Sequence, residues 1–289
     1  MIRKISKFDC KNNAKEIKTE HIFYIGNVSS VLKKLQGNLI QLIITSPPYW
    51  NARDYKHPSQ LGYKDTYPVY LKKMKDIFRE CVRILLPDGK IAINIGNIYN
   101  FDATDKRHYT INIIHDIWEL LLSIGDLRFM GTIYWKKTTS RNGAVLFGSY
   151  PYPSNFMIST ALEAIHIFRK IGKRDVPKEI KEISKITKEE FRIFREPIWF
   201  LNGTSTKDHP AVFSNEIPKR LIKMYSFYGD TVLDPFCGIG TTNLEALKLD
   251  RNSVGIDIKP IYIKLAIKKL KNLNNNANIA VVNKTQKEK

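Results

Sequence analysis

The chain has 289 residues, with 47 Lys and Arg against 28 Asp and Glu, a formal charge of +19 and a pI near 9.7. That length suits one large domain with an insertion, or two domains. A chain so basic is expected to bind polyanions, the lesser alternative being that abundant Lys, Ile and Asn reflect an AT-rich genome. No apolar stretch reaches the roughly 18 to 20 residues that cross a bilayer. The basic residues 1–7 lack the apolar core of a signal peptide, so an intracellular protein is expected. Cys10, Cys81 and Cys237 form no Cys-x-x-Cys pair, which argues against a zinc site or a disulfide framework.

In chain order, Phe23-Tyr24-Ile25-Gly26-Asn27 predicts a strand and turn. The apolar run Leu39-Ile40-Gln41-Leu42-Ile43-Ile44 predicts a buried strand that ends in Thr45-Ser46-Pro47-Pro48-Tyr49-Trp50-Asn51. Each proline fixes its own φ, lacks an N–H and holds the preceding residue extended, so this loop can hardly flex. It offers acceptors without donors, the Ser46 hydroxyl and the Pro47 carbonyl, beside the face of Tyr49. Such a site suits an exocyclic amino group on a ring that stacks on Tyr49, and an aminated nucleobase is the obvious candidate.

A Pro87-Asp88-Gly89 turn precedes a strand over residues 90–97, read as core, and residues 131–137 predict another strand. Composition changes between residues 138 and 201, which hold Thr138-Thr139-Ser140-Arg141-Asn142-Gly143, Tyr150-Pro151-Tyr152-Pro153 and a charged stretch over 169–195 read as a solvated helix. Within this interval residues 164–170 alternate like a strand. His209-Pro210-Ala211-Val212-Phe213 leads into a helix through Tyr225.

Thr231-Val232-Leu233-Asp234 predicts a short strand, followed by Pro235-Phe236-Cys237-Gly238-Ile239-Gly240-Thr241-Thr242 and a helix over about residues 243–249. Gly238 and Gly240 let the backbone approach a ligand, and the helix start directs free N–H groups at it. Ser253-Val254-Gly255-Ile256-Asp257 is a further strand whose terminal carboxylate can accept from two ribose hydroxyls. Asn243 stands where the dinucleotide fingerprint has its third glycine, and no Gly-Lys-Ser/Thr makes the turn a P-loop. A nicotinamide-dependent dehydrogenase is compatible with this half of the chain alone. The tail, residues 271–289, is rich in Asn and Lys and reads as poorly ordered.

The string Ser46-Pro47-Pro48-Tyr49 resembles the catalytic motif of the DNA amino-methyltransferases. Its leading serine is the form usually associated with cytosine N4, adenine N6 enzymes more often carrying Asp. Asp234-Pro235-Phe236-Cys237-Gly238-Ile239-Gly240-Thr241-Thr242 resembles the S-adenosylmethionine-binding motif of the same family. With the catalytic motif first and the cofactor motif last, the chain is similar to the circularly permuted β group over most of residues 21–270. The resemblance implies an α/β, Rossmann-like fold, a seven-stranded mainly parallel sheet with helices on both faces. The catalytic and cofactor-binding domain would comprise residues 21–137 and 202–270, and a target-recognition region residues 138–201.

Carried over residue by residue, the resemblance implies a catalytic set of Ser46, Pro47, Pro48 and Tyr49. It implies a cofactor set of Asn27, which stands where the family commonly has an acid, with Asp234, Phe236, Gly238, Gly240, Thr241, Asp257 and His209. Candidate DNA contacts are Arg53, Trp135, Lys136, Arg141 and Arg174. Trp135 would wall the base pocket, and no metal is needed. The implied partner is duplex DNA with a short recognition sequence, together with a cognate restriction endonuclease if the enzyme belongs to a restriction-modification system in a prokaryotic cytoplasm.

The mechanism so implied extrudes the target base onto Tyr49, directs its amino hydrogens at Ser46 and the Pro47 carbonyl, and transfers the methyl group directly, the proton leaving to water. Adenine N6 presents the same kind of amino group, and a DNA-binding module with a degenerate cofactor site is a third reading. Carbon-5 methylation of cytosine is disfavoured, because its thiolate nucleophile lies in a Pro-Cys pair and no cysteine here follows a proline.

Overall fold

The computed structural model describes residues 18–138, 148–206, 209–212 and 214–283, excluding the side chains of 204–206 and 209–212. The elements run β1 (Glu20–Ile25), α1 (Val28–Lys34), β2 (Ile40–Thr45), α2 (Tyr67–Ile84), β3 (Leu85–Gly96), β4 (Ile98–Asp102), β5 (Arg107–Ile111), α3 (Ile113–Leu122), β6 (Leu127–Lys137) and β7 (Leu162–Lys170). They continue with α4 (Lys178–Ile183), α5 (Lys188–Phe194), β8 (Ile198–Leu201), β9 (Thr204–Thr206), β10 (His209–Val212), α6 (Glu216–Tyr225), β11 (Thr231–Asp234), α7 (Thr241–Lys248), β12 (Asn252–Asp257), α8 (Pro260–Leu273) and β13 (Asn278–Asn283).

One sheet organises the chain, in the order β13-β1-β12-β11-β2-β3-β7-β6-β8. Its pairings are parallel except for those of β7, which runs antiparallel to both β3 and β6. The central strands read as unbroken apolar runs because both of their faces are covered. In β2, Ile43 faces a cluster with Val31, Leu32, Tyr70, Phe78 and Ile117 of α1, α2 and α3. Leu42 and Ile44 face the other cluster, with Ile217, Leu221 and Ala246 of α6 and α7. α8 covers the β1 end through Ile263, Ala266 and Leu270 against Phe23.

The sheet has nine strands where the resemblance implied seven, and the two edge strands account for the difference. β13 pairs in parallel with β1, from Glu20 opposite Asn278 to Ile25 opposite Asn283. Residues 271–283 are therefore the end of α8 and an edge strand, not a loose tail. Its Ile279, Val281 and Val282 supply the β-forming residues that the Asn-rich composition masked. β8, from the 138–201 interval, pairs in parallel with β6, and β7 of the same interval sits inside the sheet.

Two local expectations also change. Residues 87–89 form a bulge within β3 rather than a turn before it: Ile40 faces Leu85, Leu42 faces Lys90, and Asp88 takes φ 64°. The charged stretch forms two short helices, α4 and α5, the second with a Thr187–Glu190 capping box. Among the described residues no helix is long and apolar enough to cross a membrane.

β2 and β11 are parallel neighbours, with Leu42 opposite Val232 and Ile43 opposite Leu233. From β2 the chain proceeds to β3 on one side, and from β11 to β12 on the other. Their carboxyl ends thus flank the point where the winding reverses, where open α/β sheets hold ligands.

Candidate active site

Both motifs emerge at that point. Thr45, the last residue of β2, donates its hydroxyl to Asp234 Oδ1 at 2.8 Å, and Thr242 of α7 donates to Oδ2 at 2.8 Å. The Phe236 N–H adds a third bond to Oδ1 at 3.1 Å. Asp234 is 1% exposed, and burial raises its carboxyl to about 6 against these bonds. Asp234, expected to touch the cofactor, instead ties the two motif loops to each other.

Beyond Asp234 the backbone turns through Gly238 and Gly240, both in the left-handed region at φ 49° and 75°. A Cβ on Gly240 would lie 2.6 Å from the Ala266 Cβ, so a side chain there would push α8 off the turn. The turn lies against the end of β12, where the Asp257 carboxylate accepts from the Gly238 N–H at 3.1 Å and the Lys259 N–H at 2.7 Å. Burial raises this carboxyl also to about 6. Phe236 is the only residue of 231–240 that is not buried, and Thr241 opens α7 as a buried residue. Asn27 caps α1, its side chain accepting from the Ser30 N–H at 3.3 Å. His209 opens β10, and its side chain lies outside the described residues.

The loop after β2 is held as its prolines suggest. Tyr70 donates its hydroxyl to the Pro48 carbonyl at 2.8 Å, and the Trp50 indole donates to the Asp65 carbonyl at 2.8 Å. The Lys259 ammonium donates to the Tyr55 carbonyl at 3.1 Å, joining the far part of the loop to the end of β12. The Pro47 carbonyl has no hydrogen-bond partner among the described residues.

Ser46 and Tyr49 belong to a larger polar cluster. Ser46 Oγ lies 3.2 Å from the Tyr49 hydroxyl, which donates to Glu163 Oε2 at 2.9 Å. Asn94 Nδ2 donates to the same carboxylate oxygen at 2.6 Å and to the Tyr49 hydroxyl at 3.1 Å. Lys137 Nζ holds Glu163 Oε1 at 2.5 Å. The Asn94 amide is oriented by Glu163, since its oxygen would repel the carboxylate, and Asn94 Oδ1 remains a buried acceptor without a partner. Burial, then the Glu163 carboxylate, raises the Tyr49 phenol well above its ordinary value, so it is a donor at neutral pH.

Glu163, Asn94 and Lys137 were not singled out by sequence. Asn94 interrupts the apolar run Ile91-Ala92-Ile93-Asn94-Ile95, a signal that the reading of this strand as core passed over. Glu163 is the second residue of β7, and only the antiparallel direction of that strand brings it opposite Gly96, at the same end of the sheet as the end of β6 with Lys137.

The expected DNA contacts divide. Arg53 and Lys136 are exposed, and Asp54 pairs with Lys56 rather than with Arg53. Arg141 lies outside the described residues. Trp135 does not wall a pocket: it is 2% exposed, and its indole donates to the Leu201 carbonyl at 3.0 Å inside the core. Arg174 is not a free cation either, because its guanidinium grips both oxygens of buried Asp230, one at 2.9 Å, and lies over the Phe227 ring.

This fold and these two loops define a DNA methylase. Residues 40–268 match the model of the N6/N4 DNA methylase family, and the chain belongs to it. The type II methyltransferase M.MjaI of Methanocaldococcus jannaschii is 30% identical over 306 residues, covering 93% of this chain and 98% of that protein. M.SmaI of Serratia marcescens is 28% identical over 84% of this chain and 88% of its own length. Among solved structures, the Thermus thermophilus protein TTHA0409 in complex with S-adenosyl-L-methionine superposes with a TM-score of 0.74 at 30% identity, covering 91% of this chain and 99% of that one. The cytosine-N4-specific PvuII DNA methyltransferase shares the fold at a TM-score of 0.62 and 20% identity, over 90% of each chain.

Proposed function

We propose that this chain transfers a methyl group from S-adenosyl-L-methionine to the N4 amino group of a cytosine extruded from duplex DNA, as the modification enzyme of a restriction-modification system. The observation that carries the reading is Ser46 at the head of a braced Pro-Pro loop. With the Tyr49 proton committed to Glu163, the Ser46 proton is free to point at Tyr49, so the serine lone pairs join the Pro47 carbonyl as paired acceptors for an amino group.

S-adenosyl-L-methionine fits the residues around the glycine turn. Asp257 takes two backbone bonds and has lone pairs left for ribose hydroxyls. Phe236 is the partly exposed residue of the same turn. When bound, the cofactor supplies an electrophilic methyl group on a sulfonium. The chain's own residues do the rest: the Tyr49 ring carries the base, and Ser46 and Pro47 draw the amino lone pair out of conjugation. The same oxygens and the aromatic face stabilise positive charge developing on nitrogen.

Arg53 and Lys136, both exposed, are the cations we assign to DNA contact. The interval 138–201, with β7 and β8 set apart as sheet strands, is the segment to read the target sequence, and a restriction endonuclease cutting the same site would be the biological partner. Labelled cofactor and mixed-sequence duplex DNA test the reading. Methyl incorporation is expected to be lost in a Ser46→Ala, Tyr49→Ala double variant that still binds cofactor, and near-full activity in that variant would sink it.

A further inference from the structure

The Ser46, Tyr49 and Glu163 cluster ends in a carboxylate, and a methylated amino group must shed a proton. Resting on the methyl-transfer reading above, we propose that Glu163 is the acceptor of that proton, through Ser46 and Tyr49, in place of solvent.

The hydrogen bonds run one way. The single Tyr49 proton points at Glu163 Oε2 over 2.9 Å, the shorter and charge-assisted choice over the Asn94 carbonyl at 3.4 Å. The Tyr49 oxygen is then an acceptor toward Ser46 at 3.2 Å and toward Asn94 Nδ2 at 3.1 Å. The Ser46 hydroxyl hydrogen therefore points inward, and its oxygen, which accepts a long bond from Asn94 Nδ2 at 3.5 Å, keeps a lone pair for the substrate. The groups facing Glu163 are Tyr49 from the catalytic loop, Asn94 from β3 and Lys137 from β6. Lys137 on Oε1 balances the charge before the reaction and leaves Oε2 to the chain.

As the carbon–nitrogen bond forms and the carbon–sulfur bond breaks, the amino nitrogen becomes cationic, and its N–H bond facing Ser46 Oγ then breaks. Ser46 gains that proton and passes its own to Tyr49, and Tyr49 passes its own to Glu163 Oε2. The products are the neutral methylated amine, the neutral thioether and a neutral carboxyl group, with Ser46 and Tyr49 unchanged. A serine too weak to act as a base alone becomes competent because a carboxylate ends the relay. Glu163 touches neither base nor cofactor, so it is a positioning residue that also stores the proton.

The test is single-turnover methyl transfer at saturating labelled cofactor, measured from about pH 5 to 8 for wild type, Glu163→Gln, Tyr49→Phe and the double variant. General-base assistance of this kind is typically worth about a hundredfold or more. Glu163→Gln is expected to lose about that factor, with cofactor affinity retained. Tyr49→Phe, which keeps the ring, is expected to lose a similar factor, and the double variant no more than either single one. Should Glu163→Gln not fold, Tyr49→Phe carries the test alone. A wild-type rate in either variant, or a double-variant loss equal to the product of the two single losses, would overturn the relay while leaving methyl transfer standing. A wild-type protein that methylates no DNA would overturn the methyl-transfer reading, and the relay with it.

Discussion

Thr45 and Asp234 are 189 positions apart in the chain and 2.8 Å apart in the fold. Asp234 also receives Thr242, so one buried carboxylate fixes the catalytic loop, the glycine turn and the start of α7. Replacing Thr45 by Val keeps the shape and removes one donor from a buried carboxylate, which costs about 1 to 3 kcal/mol. Urea unfolding should show that loss, and a stability equal to wild type would mean that the bond is not part of the clamp.

The same carboxylate sets a pH dependence. Burial raises Asp234 from 3.8 to about 6, so the folded state binds its proton more tightly than the unfolded one. Its contribution to stability is therefore largest below about pH 4 and is lost as pH rises through 6. His21 runs the other way: burial lowers it from 6.5 to about 4, giving stability that is present above pH 6.5 and lost on acidification. The difference between wild type and Asp234→Asn isolates the aspartate. Wild type should lose stability relative to the variant between about pH 4 and 6, and parallel curves would remove the effect.

Asp257 must be ionised to accept best from ribose hydroxyls, and its carboxyl is raised to about 6. Cofactor affinity, followed by calorimetry, should weaken as pH falls through that value, and Asp257→Asn should bind weakly and without that inflection. An unchanged pH profile in the variant would take Asp257 out of the cofactor site.

Gly240→Ala places a Cβ 2.6 Å from the Ala266 Cβ at a backbone φ of 75°. A cost of about 1 to 3 kcal/mol is expected from the left-handed backbone and the clash together. Gly125→Ala, where φ is 95° and no atom lies within 4 Å, is the control that isolates the clash. Equal losses in thermal unfolding would assign the whole effect to backbone strain.

Arg174 and Arg53 should separate cleanly. Arg174→Ala strands buried Asp230, so about 3 kcal/mol of stability should be lost with little change in the salt dependence of DNA binding. Arg53→Ala should leave the melting temperature unchanged and lower DNA affinity, with a shallower salt slope. An unaltered slope would remove Arg53 from the DNA interface.

Much of this was legible in the chain. The strand under the catalytic loop, the Pro-Pro rigidity and the glycine turn before α7 all depend on local chemistry, and β2, β11 and β12 form where the apolar runs lie. What stayed hidden depends on direction and pairing. Glu163 joins Ser46 and Tyr49 only because β7 is antiparallel, which no periodicity reveals. Trp135 and Arg174 carry residue types suited to DNA, but their partners, Leu201 and Asp230, lie 66 and 56 positions away and commit them to the interior. β13 was masked by the Asn-rich stretch before it.

The measurement that bears most directly on the account is nucleoside mass spectrometry of duplex DNA methylated by the purified protein with labelled S-adenosyl-L-methionine. Labelled N4-methylcytosine, absent in Ser46→Ala, is the expected product. Labelled N6-methyladenine in its place would contradict the cytosine assignment while keeping the fold and family.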